Sequence, residues 1–283
     1  METLPIFSIK EFETRDEEFY VNRLDEHLAH HHFIHEPHKH DFYICVLFTQ
    51  GKGNHEINFK NYAIKPGSVF FLKPGDLHNW SFNTPVNGFI FFHSKAFYDL
   101  NFQNRKLHDF PFYFSVNNPP FLQLELDNQK KLSQLFKQLK ENKKEDQYTA
   151  IQRASIVDII YIELSRHYGR IEYSDKVNTS YLVKLQNFED LVTTYFRVEK
   201  SPHFYADKLN ISVKHLNRIV KESLNVTASN FIAQIVILEA KKMLIHSDYR
   251  VVEIATKLGY EDSSYFIRFF KKHVGITPSK FSY

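Results

Sequence analysis

The C-terminal third of the chain repeats itself. Set HFYADKLNISVKHLNRIVKESLN against VVEIATKLGYEDSSYFIRFFKKHVG, and Ala206 meets Ala255, Leu209 meets Leu258 and Asn210 meets Gly259. One extra turn residue in the second copy then brings Ser212 to Asp262, Leu216 to Phe266, Arg218 to Arg268 and Lys221 to Lys271. Each copy reads as helix, tight turn, helix. A helix pair this short cannot close a core by itself, so the duplication demands a compact helical bundle.

The residue types have mechanical reasons. Ala206 and Ala255 are small where a second helix crosses close by, and Asn210 and Gly259 tolerate a left-handed turn. Ser212 and Asp262 are N-cap types. Ser201-Pro202 and Thr277-Pro278 each read as a cap followed by a first-turn proline. Leu209, Leu216, Ile219 and Val220 in one copy, and Ile254, Leu258, Phe266, Phe269 and Phe270 in the other, supply the cores. Lys214, Asn217 and Arg218, with Ser263, Ser264 and Arg268, are then left near the start of each second helix. A helix presented that way fits the major groove of DNA. Between the copies, TASNFIAQIVILEAKKMLIHS predicts a continuous helix about 28 Å long, against about 34 Å between successive major-groove faces.

With EAKKML and the run EIATKLGYEDSSYFIRFFKKHVGITPSKF from Glu253 to Phe281, the region Leu185 to Tyr283 resembles the DNA-binding domain of AraC/XylS-type transcriptional regulators. The resemblance implies two helix-turn-helix units, 202–224 and 250–274, acting on double-stranded promoter DNA, with RNA polymerase as a further partner. Carried over by position, Lys214, Asn217, Arg218, Ser263, Ser264 and Arg268 face bases, and Ser212, Lys221, Tyr265 and Lys271 neighbour phosphates. The chain departs from the family at Val236 and Ser282, where arginine is usual, and at Asn210, where the turn residue is usually glycine-like.

The first half is of another kind. FYICVLFTQGKGNHEINFKNYAIKPGSVFFLKPGDLHNWSF breaks into short aromatic strands at Gly51-Lys-Gly53, Pro66-Gly67 and Pro74-Gly75, the pattern of an antiparallel sandwich or barrel. Of 16 histidines, 11 precede position 109. His38-Lys-His40 with a distant His78 resembles the cupin-like effector domain that often precedes such regulators. The expectation is a small-molecule effector pocket lined by His38, His40, His78 and Trp80, with no metal and no cofactor. A metal held by His38, His40 and His78 is the alternative, since alternation puts His38 and His40 on one strand face. A metal-holding cupin usually has a glutamate about four residues after HxH, and Asp41-Phe-Tyr-Ile-Cys45 has none. His30-His31-His32 is read as a loop edge, and Cys45 as a buried, inert thiol.

From Leu126 the period becomes helical. Leu132, Leu135, Phe136 and Leu139, then Ile151, Ala154, Val157, Tyr161, Leu164 and Tyr168, mark two amphipathic helices that pack locally or pair two chains as a homodimer. The fold class expected is α+β multidomain: a cupin-like barrel over 1–125, helical connector 126–170, linker 171–184 and an all-α DNA-binding domain over 185–283.

Charge follows the same division. Residues 181–283 hold 15 Lys+Arg and 10 Asp+Glu, leaving 21 basic and 23 acidic residues before them. The basic bias therefore sits where phosphate contact is expected. A lone cysteine excludes an internal disulfide, and neither a signal-like start nor a run of about 18 apolar residues is found, so a cytoplasmic protein is expected. With no nucleophile–base pair or acidic dyad in view, the function read is an effector-controlled transcriptional regulator and not an enzyme. The alternative is a cupin metalloenzyme with a helical interaction module.

Overall fold

The computed structural model describes residues 5–12, 17–31, 36–102, 105–115, 117–141, 148–168 and 179–281. Two compact units emerge, Pro5–Ile171 and Glu172–Tyr283.

In the first unit, β1 (Ile6–Phe7) pairs in parallel with β3 (Lys39–His40). Five strands, β2 (Phe19–Arg23), β4 (Tyr43–Gln50), β7 (Ser68–Leu72), β9 (Asn87–His93) and β10 (Phe121–Gln123), form an antiparallel sheet in the order β10-β7-β4-β9-β2. Three more, β5 (Gly53–Ile57), β6 (Lys60–Ile64) and β8 (His78–Phe82), form a second antiparallel sheet, β6-β5-β8. Short helices α1 (Leu24–His30), α2 (Lys95–Asn101) and α3 (Pro111–Phe114) decorate the strands. The long helices α4 (Leu126–Glu141) and α5 (Thr149–His167) follow.

Central strands are buried on both faces, which is why they read as unbroken apolar runs. Ile44, Val46, Phe48, Phe70 and Ile90 face Ile57, Ile64 and Trp80 of the smaller sheet. Cys45, Leu47, Val69, Phe71 and Phe91 face the other way, into a core with Phe136, Val157, Ile160, Tyr161 and Leu164 of α4 and α5. The two helices thus complete the barrel unit's core. Two positions depart from the stripe read in the sequence: Ile151 is largely exposed and Leu135 only partly buried. Burial pushes the Cys45 thiol well up, as suits an inert group.

The second unit is helical: α6 (Thr179–Tyr195), α7 (Pro202–Lys208), α8 (Val213–Leu224), α9 (Ala228–His246), α10 (Val251–Lys257), α11 (Ser263–Val274) and α12 (Pro278–Phe281). Residues 179–184, expected in the linker, are the opening turns of α6, while 171–178 lie outside the described residues. The 19-residue α9 spans about 28 Å at the standard rise. The duplication is conformational as well as sequential. Asn210 and Gly259 take φ of 53° and 76° in the turns, and Asn225 and Gly275 take 55° and 91° at the ends of α8 and α11. Among the described residues, no helix is long and apolar enough to cross a membrane.

Candidate nucleic-acid interface and ligand site

Helices α8 and α11 bury equivalent stripes, Leu216, Ile219 and Val220 in one and Phe266 and Phe270 in the other. The opposite faces are therefore fixed. Lys214, Arg218 and Lys221 are exposed on α8, and Ser264, Arg268 and Lys271 occupy the same places on α11, fifty positions later. A spacing of i, i+4, i+7 gathers each trio within an arc of about 60°. Each helix starts on a side-chain cap: Ser212 Oγ accepts from His215 N at 3.2 Å, and Asp262 Oδ1 accepts from Ser264 N at 2.7 Å. Ser212 thus serves the helix before any phosphate.

The other expected contact residues fall into two groups. Arg218 lies 5.6 Å from the Tyr181 ring, and the exposed Arg268 is 3.9 Å from Asp262, a weak tie that a phosphate or base edge displaces at little cost. Tyr265 is exposed, with its ring 5.9 Å from Tyr260. Ser263 is half-buried. Asn217 is the exception, because both ends of its amide are engaged inside the unit. Its Nδ2 donates to Val213 O, and its Oδ1 accepts from Ala228 N, the first N–H of α9. The residue ties the presumptive reading helix to the linking helix. Sequence reasoning missed Lys200 and Lys272, which join Arg268, Tyr260, Tyr265 and Val236 around a cleft of about 460 Å³ between α9 and α11. Burial lowers the Lys200 pKa, and its ammonium sits 4.6 Å from the Tyr260 ring.

In the barrel unit, His38 and His78 are joined by a reciprocal pair of backbone bonds, 3.1 and 3.0 Å, so β3 and β8 deliver their side chains to one place. His40 Nε2 lies 2.7 Å from His78 Nε2, and His78 Nδ1 lies 3.0 Å from His55 Nε2. His38 Nδ1 donates to Glu36 O at 2.6 Å, which fixes that tautomer because a carbonyl only accepts. Trp80 packs beside them, its ring 5.3 Å from both His55 and His78. All four expected lining residues are therefore brought together and buried. Burial holds His38, His40, His55 and His78 below the usual imidazole range, so they are neutral at physiological pH.

The adjoining cavity, lined by Phe12, His27, His38, His40, Ile44, Trp80, Ile90 and Phe92, measures about 10 Å³. Such a space holds a water or an ion, whereas organic ligands occupy roughly 300–1,000 Å³. His40 Nδ1, His55 Nδ1 and Trp80 Nε1 are buried with no partner among the described residues, each at a cost of about 1–3 kcal/mol. Ligand nitrogens of His38, His40 and His78 all lie within 4.8 Å of one another. Three neutral imidazoles fit a transition ion. His55 was missed, although its alternation with Ile57 in GNHEI put it on the inward face. The expected loop edge at 30–32 is also revised. His30 is exposed and bonded to Glu26 O, His31 is buried with its ring 5.0 Å from Phe12, and His32 lies outside the described residues.

Residues 18–154 match the family model of the AraC-like ligand binding domain, and residues 205–282 match that of a helix-turn-helix domain. The HTH-type transcriptional activator RhaR of Cronobacter sakazakii is 27% identical over 243 residues, which is 85% of this chain and 84% of that protein. The activator RhaS of an Enterobacter species is 23% identical over 248 residues, 85% of each. Among solved structures, ToxT from Vibrio cholerae is 15% identical, covering 94% of this chain and 98% of its own, with a TM-score of 0.44.

Proposed function

The chain belongs to the AraC-type transcriptional regulators, an effector-binding unit and a helix-turn-helix unit in one polypeptide, and from that premise we propose how it reads DNA. Lys214 and Arg218 of α8, with Ser263, Ser264 and Arg268 of α11, meet base edges in two successive major-groove segments. Lys221, Tyr265 and Lys271 meet phosphates, and Ser212 does so through the helix end that it caps. Asn217 holds α8 to α9 instead of touching a base. The observation that carries this reading is the matched pair of exposed trios, each on a capped helix, at the two ends of one 19-residue helix. The protein acts in the cytoplasm, where promoters are, and engages RNA polymerase once bound.

Pairing of two chains through α4 and α5 is part of the same reading. It is supported by exposed Ile151 and Ile159 and by a groove of about 490 Å³ between the helices, lined by Leu132, Leu135, Ile159 and Leu164. The metalloenzyme alternative finds its three histidines but, beside them, too little space for a substrate.

The test is in vitro selection of duplexes from a random library on the full chain. Two sub-sites about one helical turn apart are expected. On the selected duplex, Arg268→Ala weakens binding by about 1–3 kcal/mol and relaxes base choice at one position. An equal loss on selected and random DNA contradicts the assignment.

A further inference from the structure

The histidine group in the barrel unit has ligand atoms but no room for an organic molecule. Building on the regulatory reading above, we propose that His38, His40 and His78 bind one divalent first-row transition ion of the zinc type and that this ion is the effector.

Donor chemistry selects the class of ligand. Three imidazoles with no thiolate or carboxylate in the group suit zinc, copper, nickel or iron, and disfavour calcium and magnesium. Orientation is already supplied. The bond to Glu36 O puts the proton of His38 on Nδ1 and leaves Nε2 as a lone pair for the ion. In the same tautomer, His78 donates from Nδ1 to His55 Nε2 and turns its own Nε2 toward His40 Nε2. All three ligands then offer Nε2, and His55 is the positioning residue behind His78. Two nitrogens on a tetrahedral ion at about 2.0–2.1 Å sit roughly 3.3 Å apart. The His40–His78 pair, now at 2.7 Å, opens by about half an ångström, and His38 closes from within the 4.8 Å limit.

The topology gives the ion a lever. His38 and His40 flank and belong to β3, a two-residue strand held by β1, whereas His78 begins β8 of the three-stranded sheet. Loading ties this short N-terminal strap to the sheet across a single backbone bridge. An ion that binds one setting of the strap better than another shifts the population between them.

The experiment uses the full chain, stripped with chelator and titrated separately with Co²⁺ and Zn²⁺. Expected are one ion per chain, cobalt absorption typical of nitrogen ligation and a change in emission from Trp80, the sole tryptophan. His40→Gln and His78→Gln, checked for native-like melting, abolish uptake, whereas the exposed-residue control His30→Ala retains it. His55→Ala keeps the stoichiometry but weakens zinc binding about 10–100-fold. Zinc changes affinity for the selected duplex about tenfold.

If the parent chain takes up neither ion at micromolar concentration yet binds the duplex, the metal site is overturned and the regulator stands. Uptake of one ion with unchanged DNA affinity overturns its role as effector. Failure to bind DNA both stripped and loaded, with one ion bound, overturns the regulator reading and the effector role with it.

Discussion

Gly259 shows how much a single position can constrain a repeated motif. A Cβ built there lies 1.6 Å from Arg197 O, a backbone atom with nowhere to go, and φ is 76°. Its counterpart Asn210 takes the left-handed turn with a side chain, so the turn alone does not require glycine; the approach of the chain at Arg197 does. Gly259→Ala should therefore destabilise the helical unit by well over the ~1 kcal/mol expected from backbone strain alone. Asn210→Gly should be nearly neutral. Denaturant melts of both variants check the contrast.

His93 makes a different demand. It is fully buried, bonded to Ser94 O and to Tyr161 OH, and burial lowers its pKa to about 4. Above pH 6.5 the ring is neutral whether the chain is folded or not. Between 6.5 and 4 only the unfolded chain takes the proton, so stability falls as pH falls through that window and levels off below it. The loss is about 3 kcal/mol over the full window. His93→Gln should show a correspondingly smaller drop in unfolding free energy between pH 7 and 4.5, and an unchanged drop would refute the assignment.

At the scale of elements, α4 is the informative case. Its stripe was legible in the sequence, its partner was not. Phe136 is fully buried with its ring 5.8 Å from Phe89 and 5.3 Å from Phe91, on the outer face of the five-stranded sheet. Phe136→Ala should cost about 3–5 kcal/mol and lower the melting of the barrel unit. A loss under 1 kcal/mol would mean that α4 stands apart from the core. The helix pairs of the second unit were readable because turn, cap and stripe residues recur at fixed offsets, so each copy checked the other. No such copy existed for the histidines. His38, His40 and His78 were recognisable as a group, but the size of the space beside them is set by Phe12, His27, Trp80 and Phe92 from separate elements, and spacing does not encode that. Asn217 was misjudged for a related reason. Its place on the exposed side of α8 was correct, while the free N–H of Ala228 that claims its amide is visible only once α9 folds back against it.

For the molecule as a whole, the charge division and the linking helix make one argument. The basic excess lies in residues 181–283, so DNA affinity should fall steeply with salt, by about 0.9 in the log–log slope per phosphate contact. Lys221→Ala and Lys271→Ala should each flatten that slope by about one such step without altering sequence preference. The spacing of the two reading helices is stricter. It is set by α9, whose Phe231, Ile232, Val236, Ile237 and Ala240 are buried between the two pairs, so the rod can neither stretch nor turn without opening both cores. Inserting 5 base pairs between the sub-sites of the selected duplex moves one of them to the opposite side of the helix and should reduce affinity to that of a single sub-site. Inserting a full turn restores the side but adds about 34 Å, more than the whole length of α9, and should restore nothing. Two chains, each placing one unit on the DNA through a flexible tether, would recover affinity with the full-turn insertion. Gel shifts on the three duplexes separate the two arrangements.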